Sequence, residues 1–326
     1  MLSYDQAVRY TKNLTQSQYE NFTVVSWFLP KPLKQDFHAV YSFCRWADDL
    51  GDEIGDPQKS VELLNWWRSE LDACYAGSPK HPVYIALGPV IQKYDIPRQP
   101  FDDLINAFIQ DQTVTRYDSW DQVLDYCTRS ANPVGRLVLY MCGYRDDEHQ
   151  RLSDATCTAL QLTNFWQDVR RDVLERDRVY IPRDIARANG LSVDEMVDVI
   201  RADGKRRAEG DCCSTVACVP TIGVNAVLPM YRQTVSQLCS QTWPLFETGR
   251  QLLPMLSRDI RIDIKLFTLG GEAILRRIES RGFNTLETRP KLTKFTKVSL
   301  MMRAVFARIL SPPPPEVPTE VPESNS

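Results

Sequence analysis

Apolar positions recur at spacings of three and four residues along nearly the whole chain, and alternating strand-like runs are short or absent. The pattern therefore predicts helices throughout. Breakers mark their ends: LPKP at 29–32 precedes a helix of about 33–54, GDPQ and AGSPKHP bracket another at about 58–76, and YDIPRQP ends the next and opens one near 101–115. A helix starting at DSWDQ runs to about 142. The stretch LSDATCTALQLTNFWQDVRRDVLER reads as one long helix, capped at Ser153 or Asp154 and broken by VYIPRD. Further helices are predicted near 193–204, 227–248, 256–281 and 293–309. Residues 205–225 have no clean period and read as a loop or insertion, and the Pro- and Glu-rich tail 311–326 reads as disordered. The remainder, 1–310, is expected to form one all-α domain.

Composition narrows the function classes. The chain has 326 residues, 43% of them hydrophobic and 25% charged, enough for a sizeable core. A net charge of −3 gives no basic footprint for a nucleic-acid partner. Nine cysteines, an odd number without a CxxC pair, suggest reduced thiols and a cytoplasmic protein. The cluster Cys212, Cys213 and Cys218 lacks a second half, and His38, His81 and His149 lie far from it, so zinc is not expected. No apolar leader segment opens the chain, and no run reaches the ~18–20 apolar residues of a membrane span.

Candidate chemistry sits on two predicted helices. In RWADDLGDE, Asp48 and Asp52 are i,i+4 neighbours on a stripe that continues back through Arg45 and Tyr41, beside an apolar stripe of Phe37, Val40, Cys44 and Ala47. Alone, this could be a solvated acidic helix end. A second stretch, LQLTNFWQDVRRD, places Asn164, Asp168 and Asp172 at i, i+4 and i+8 among apolar neighbours. Carboxylates with an amide oxygen are hard ligands that suit Mg²⁺. Two such faces opposed in a helix bundle would hold metal ions against a diphosphate.

These motifs, DDLGDE and NFWQDVRRD, together with YSFCRWADD, resemble the squalene/phytoene synthase family of head-to-head isoprenoid synthases, from about Tyr10 to Leu310. YENFTVVSWFLP, RSANPVGRLVL, LQLTNFWQDV, DRVYIPRD and the glycine-bearing LFTLGGEAILRRIESRGFNTL look most like its hydroxysqualene synthase branch. The resemblance implies an isoprenoid synthase-type helical bundle with a central cavity. It also implies a Mg²⁺-dependent reaction in which presqualene diphosphate and water give hydroxysqualene and diphosphate, with no nicotinamide needed. The rival within the same fold is condensation of two farnesyl diphosphates to presqualene diphosphate or squalene. A non-catalytic assembly factor should have lost an acidic motif, and both are intact.

Carried over by position, Asp48, Asp52, Asn164, Asp168 and Asp172 would be the Mg²⁺ ligands, with Asp49 and Glu53 in support. Arg45, Arg171 and Arg178 would hold the diphosphate of a C30 isoprenoid substrate, and Tyr41 and Tyr126 would face the reacting carbons. The aromatic faces of Phe22, Phe43, Phe165 and Trp166 are candidates to stabilise a carbocation. Gln167 either positions the attacking water or is a surface or diphosphate-contacting amide. Gln18 replaces a histidine frequent in relatives, and Arg171 an acid. Residues 291–310 carry five basic residues, no acid and one apolar stripe, the pattern of either a last core helix or a peripheral contact with the inner membrane. Expected pathway partners are a presqualene diphosphate synthase and a hydroxysqualene dehydroxylase.

Overall fold

Prolines and capping side chains begin many of the helices. Asp56 caps the helix led by Pro57 and accepts from the amides of Gln58 and Lys59, while Ser119 and Asp146 cap two others. The computed structural model describes residues 2–17, 31–208 and 223–292. In these the helices are α1 (Tyr4–Ser17), α2 (Lys31–Asp52), α3 (Pro57–Tyr75), α4 (Pro82–Tyr94), α5 (Gln99–Gln110) and α6 (Trp120–Ser130). There follow α7 (Asn132–Met141), α8 (Asp147–Arg176), α9 (Arg183–Ala188), α10 (Val193–Ala208), α11 (Val224–Arg250) and α12 (Arg258–Ser280). Among the described residues there is no strand beyond an isolated bridge between Arg116 and Val179, so the fold is all-α.

Several boundaries differ from the sequence expectation, two of them most; among the smaller differences, α5 ends at Gln110 and not near 115, and residues 205–208 of the expected loop belong to α10. The stretch from DSWDQ to 142 is two helices, α6 and α7, broken at Ala131. Pro133 has no amide hydrogen to continue the ladder, and the buried Asn132 instead accepts from the Thr158 hydroxyl at 2.8 Å. The long helix α8 starts at Asp147 under an Asp146 cap, not at Ser153 or Asp154. Ser153 is buried mid-helix, and Asp154 is bound by Arg136 of α7 at 2.6 Å. Gln18, the segment Tyr19–Pro30 with Phe22, the Cys212–Cys218 cluster, the helix predicted at 293–309 and the tail lie outside the described residues.

Burial divides into two main clusters. One joins α1–α5 with Leu137 and Met141 of α7, around Phe43, Trp67, Tyr84 and Phe101. The other gathers α6 and α8–α12 around Trp166, Tyr231 and Phe246. Helices α8, α11 and α12 meet closely. A Cβ on Gly249 would lie 3.0 Å from the Thr156 backbone nitrogen, and one on Gly271 would lie 2.8 Å from the Phe246 ring. Glycine at these positions lets the backbones approach. Helices α2 and α8 each pack within a different cluster rather than along one another.

One buried group lacks compensation. Asp263 of α12 is 2% exposed, and neither carboxylate oxygen has a hydrogen-bond partner. Its pKa is pushed up to about 7 by burial, against the attraction of Lys34 on α2. The thiol of Cys142 also feels its charge. A carboxyl whose acidity is weakened by folding is protonated in both states below about pH 4 and carries no penalty there. The penalty grows as pH rises towards 7 and is full above it. Asp263→Asn should therefore stabilise the fold more at pH 8 than at pH 4, by a difference of about 1–3 kcal/mol in urea unfolding. Equal effects at both pH values would show that folding does not shift the Asp263 carboxyl.

Candidate active site

On α2 the stripe Tyr41, Arg45, Asp48, Asp52 forms as the helical period requires. Arg45 hydrogen-bonds Asp48 at 2.9 Å and also ion-pairs with Asp49. Asp48 is pushed up to about 6, by burial first and the charge of Asp52 second, with Arg45 and Arg176 opposing. Tyr41 is half-buried, and burial raises its phenol. Asp52 reaches furthest from its own helix. Its side chain is 7% exposed and is held by Arg176 at 3.0 Å and Arg178 at 2.9 Å, both from the end of α8.

On α8, Asp168 and Asp172 are buried and Asn164 is exposed one turn earlier on the same face. Asp172 is pushed up to about 7, by burial and then by Asp168, against Arg176, Arg171 and Arg178. The end of α8 explains how the arginines arrive. Asp177 takes a left-handed backbone at φ 52°, and the Arg178 amide returns to the Asp172 carbonyl at 3.1 Å. The Asp177 carboxylate ties down Arg116 and Arg201, each at 2.6 Å. This turn delivers Arg176 and Arg178 to Asp52 across 126 residues of chain.

Three groups were missed by sequence reasoning. Asp111, at the end of α5, is buried and pushed up to about 7 by burial. It accepts from the Tyr126 hydroxyl at 2.8 Å and lies 3.5 Å from Arg178. Arg176 was legible, because it extends the 164, 168, 172 stripe by one more i,i+4 step. Arg289 follows α12 and binds both carboxylate oxygens of Asp168, with Nη2 at 2.8 Å from Oδ2. No local pattern announced it.

Several expected roles change. Gln167 does not share the acidic face. Its buried amide donates to the Pro290 carbonyl at 2.5 Å, so it is not a surface residue, and that contact ties it to the chain after α12. A residue next to Asp168 in sequence lies about 100° round the helix. Arg171 is exposed and bound to Glu175 at 2.8 Å, so the cations on the acid groups are Arg176, Arg178 and Arg289 instead. Tyr126 is spent on Asp111 and packs among Tyr117, Tyr180 and Phe165. Phe165 stacks on Tyr180 at 3.7 Å. Phe43 and Trp166 are fully buried in the two cores, where Phe43 packs on Phe101 and the Trp166 indole donates to Thr242 at 3.0 Å. Their faces are closed to a substrate.

The donor chemistry fits a hard divalent cation. Among the described residues no three His, Cys, Asp or Glu side chains converge on one point. Mg²⁺ needs no such group, since it commonly takes one or two carboxylates and completes its octahedron with water and phosphate oxygens. Asp48 with Asp52, and Asp168 with Asp172, are two all-oxygen pairs under like-charge stress that a cation would relieve.

A family model described as squalene/phytoene synthase matches residues 15–210 and 224–296. A hydroxysqualene synthase from Rhodopseudomonas palustris is 36% identical over 178 residues, 54% of this chain; the chain spans only 60% of that relative's length. A phytoene synthase from Thermus thermophilus is 28% identical over 90% of both chains. A crystal structure of a squalene synthase from Alicyclobacillus acidocaldarius superposes with a TM-score of 0.73 and 39% identity, covering 86% of this chain and 96% of that one.

Proposed function

Since this chain belongs to the squalene/phytoene synthase family and has its all-α isoprenoid synthase fold, we propose that it is a hydroxysqualene synthase, ionising presqualene diphosphate and adding water to release hydroxysqualene and diphosphate. The observation that carries the reading is the pairing of Asp52, on the acidic face of α2, with Arg176 at the end of the acidic helix α8 and with Arg178 just beyond it. The similarity to a named hydroxysqualene synthase favours this branch.

In this reading Asp48, Asp52, Asp168 and Asp172, with Asn164, hold Mg²⁺, which when bound neutralises charge on the departing diphosphate and so lowers the ionisation barrier. Arg176 and Arg178 pair with Asp52 and fix its position. Arg45 orients Asp48 and Asp49. The stacked Phe165 and Tyr180, with Tyr126 and Tyr117, form a rigid aromatic wall against the acid-bearing end of α8. Such a wall restricts the approach of bulk water to a carbocation. No nicotinamide is required, because water and not hydride ends the reaction.

A phytoene synthase aligned over nearly the full chain keeps the condensing reaction as a second reading. Purified protein with Mg²⁺ and no reductant should convert presqualene diphosphate to hydroxysqualene, identified by mass spectrometry. Presqualene diphosphate formed from farnesyl diphosphate would select the condensing reading instead. Turnover of neither substrate would leave a non-catalytic protein of this fold. Among the described residues no helix is long and apolar enough to cross a membrane. Peripheral contact through 291–310, suited to a C30 lipid substrate, is part of the proposal, as are the two pathway partners, and most of that stretch lies outside the described residues.

A further inference from the structure

After α12 the chain turns back across α8. Thr285 and Leu286 anchor this return. Leu286 is fully buried, the Thr285 hydroxyl meets Tyr231 at 2.5 Å, and Arg170 donates to the Leu286 carbonyl at 3.4 Å. Beyond the anchor the character changes. Glu287, Thr288 and Arg289 are exposed, and the stretch is held to α8 at two points: Arg289 on Asp168 and Gln167 on the Pro290 carbonyl.

Arg289 and Asp168 are unequal partners. The Asp168 side chain is 5% exposed, while that of Arg289 is 39% exposed. The guanidinium therefore covers a buried carboxylate from outside and uses a lone pair on each of its oxygens. Its charge acts on Asp172 as well. A divalent cation on the same pair would meet a fixed positive charge within a few ångströms, in a partly buried setting where such repulsion is poorly screened.

We propose that Arg289 is a displaceable cap on Asp168, holding that carboxylate in the cation-free protein and yielding it to the divalent ion, with residues 287–292 lifting about the Leu286 anchor. This rests on the reading of Asp168 as a cation ligand. The cap keeps a buried carboxylate charge-compensated until the ion arrives, so the acid is not left as an unpaired buried charge. It also makes cation binding and the docking of this return segment one coupled equilibrium.

The test is Mn²⁺ binding by the full chain, read from the electron paramagnetic resonance signal of free Mn²⁺. Arg289→Gln should bind Mn²⁺ about tenfold more tightly than wild type, as expected for a coupling of ordinary size. Arg289→Lys, which retains the charge, should stay near wild type. Amide hydrogen exchange within 287–292 should quicken when Mn²⁺ is added. If Asp168→Asn weakens Mn²⁺ binding but Arg289→Gln fails to tighten it, the cap is overturned and the ligand reading stands. If Asp168→Asn leaves Mn²⁺ binding untouched, or no form of the protein binds Mn²⁺, both are overturned.

Discussion

Asp52→Ala is expected to cost turnover and stability together, whereas Asp48→Asn costs turnover alone. The two acids share one helix stripe but not one environment. Asp52 is buried and paired with two arginines, Arg176 at the end of α8 and, just beyond it, Arg178, which is itself 9% exposed. Removing one partner of a buried ion pair leaves the other as an uncompensated charge, and here about 3 kcal/mol should be lost, because Asp111 at 3.5 Å compensates Arg178 only in part. Asp48 is 38% exposed along its side chain, and its ionised form is already disfavoured by burial and by Asp52. A neutral Asn there should unfold in urea close to wild type. Either variant should slow diphosphate release by about 10³-fold if both acids serve the departing group. An Asp52→Ala protein as stable as wild type would mean that Arg178 is not held by this pair.

Arg178→Met is expected to destabilise in a pH-dependent way. Its guanidinium lies between Asp52 and Asp111, two buried carboxylates on different helices. Asp111 is pushed up to about 7 even with Arg178 present. Without it, the folded state would hold a proton on Asp111 well above the pH at which the unfolded chain releases it. Groups raised in this way cost stability as pH rises, so the loss should be small near pH 5 and reach about 3–5 kcal/mol near pH 8. Urea unfolding at the two pH values reads the difference directly. An equal loss at both would assign Arg178 a packing role, through its aliphatic stem, and not an electrostatic one.

What the sequence disclosed follows from which contacts are local. The pairs 48/52 and 168/172 lie one helical turn apart, so spacing alone put each on a single face. Arg176 was one further step along the same stripe and could have been found by continuing it. Asp111 ends an apolar helix on its buried side, with Leu104 and Ala107 preceding it at the helical period. That signal was present but reads equally well as a helix cap. Arg289 and Pro290 carry no such signal, because their contacts with α8 span more than 120 residues and depend on how the chain returns after α12. Gln167 was read from its adjacency to Asp168, while its contact with Pro290 lies far off in sequence. The split at Ala131 was hidden because apolar residues continue on both sides of it, and only Pro133 marked the restart.

The division of the interior into two clusters bears on how the chain is made. All residues of the first cluster lie between Ala7 and Met141, so they have been synthesised before any of α8. The N-terminal half can bury its core during translation, with Asp48 and Asp52 already presented on α2. The acids of α8 and the arginines that follow them come later. Their docking on Asp52 closes a loop of well over a hundred residues, which makes it a slow and late step. The candidate site is thus assembled last, where a half that folds early receives a half that folds late.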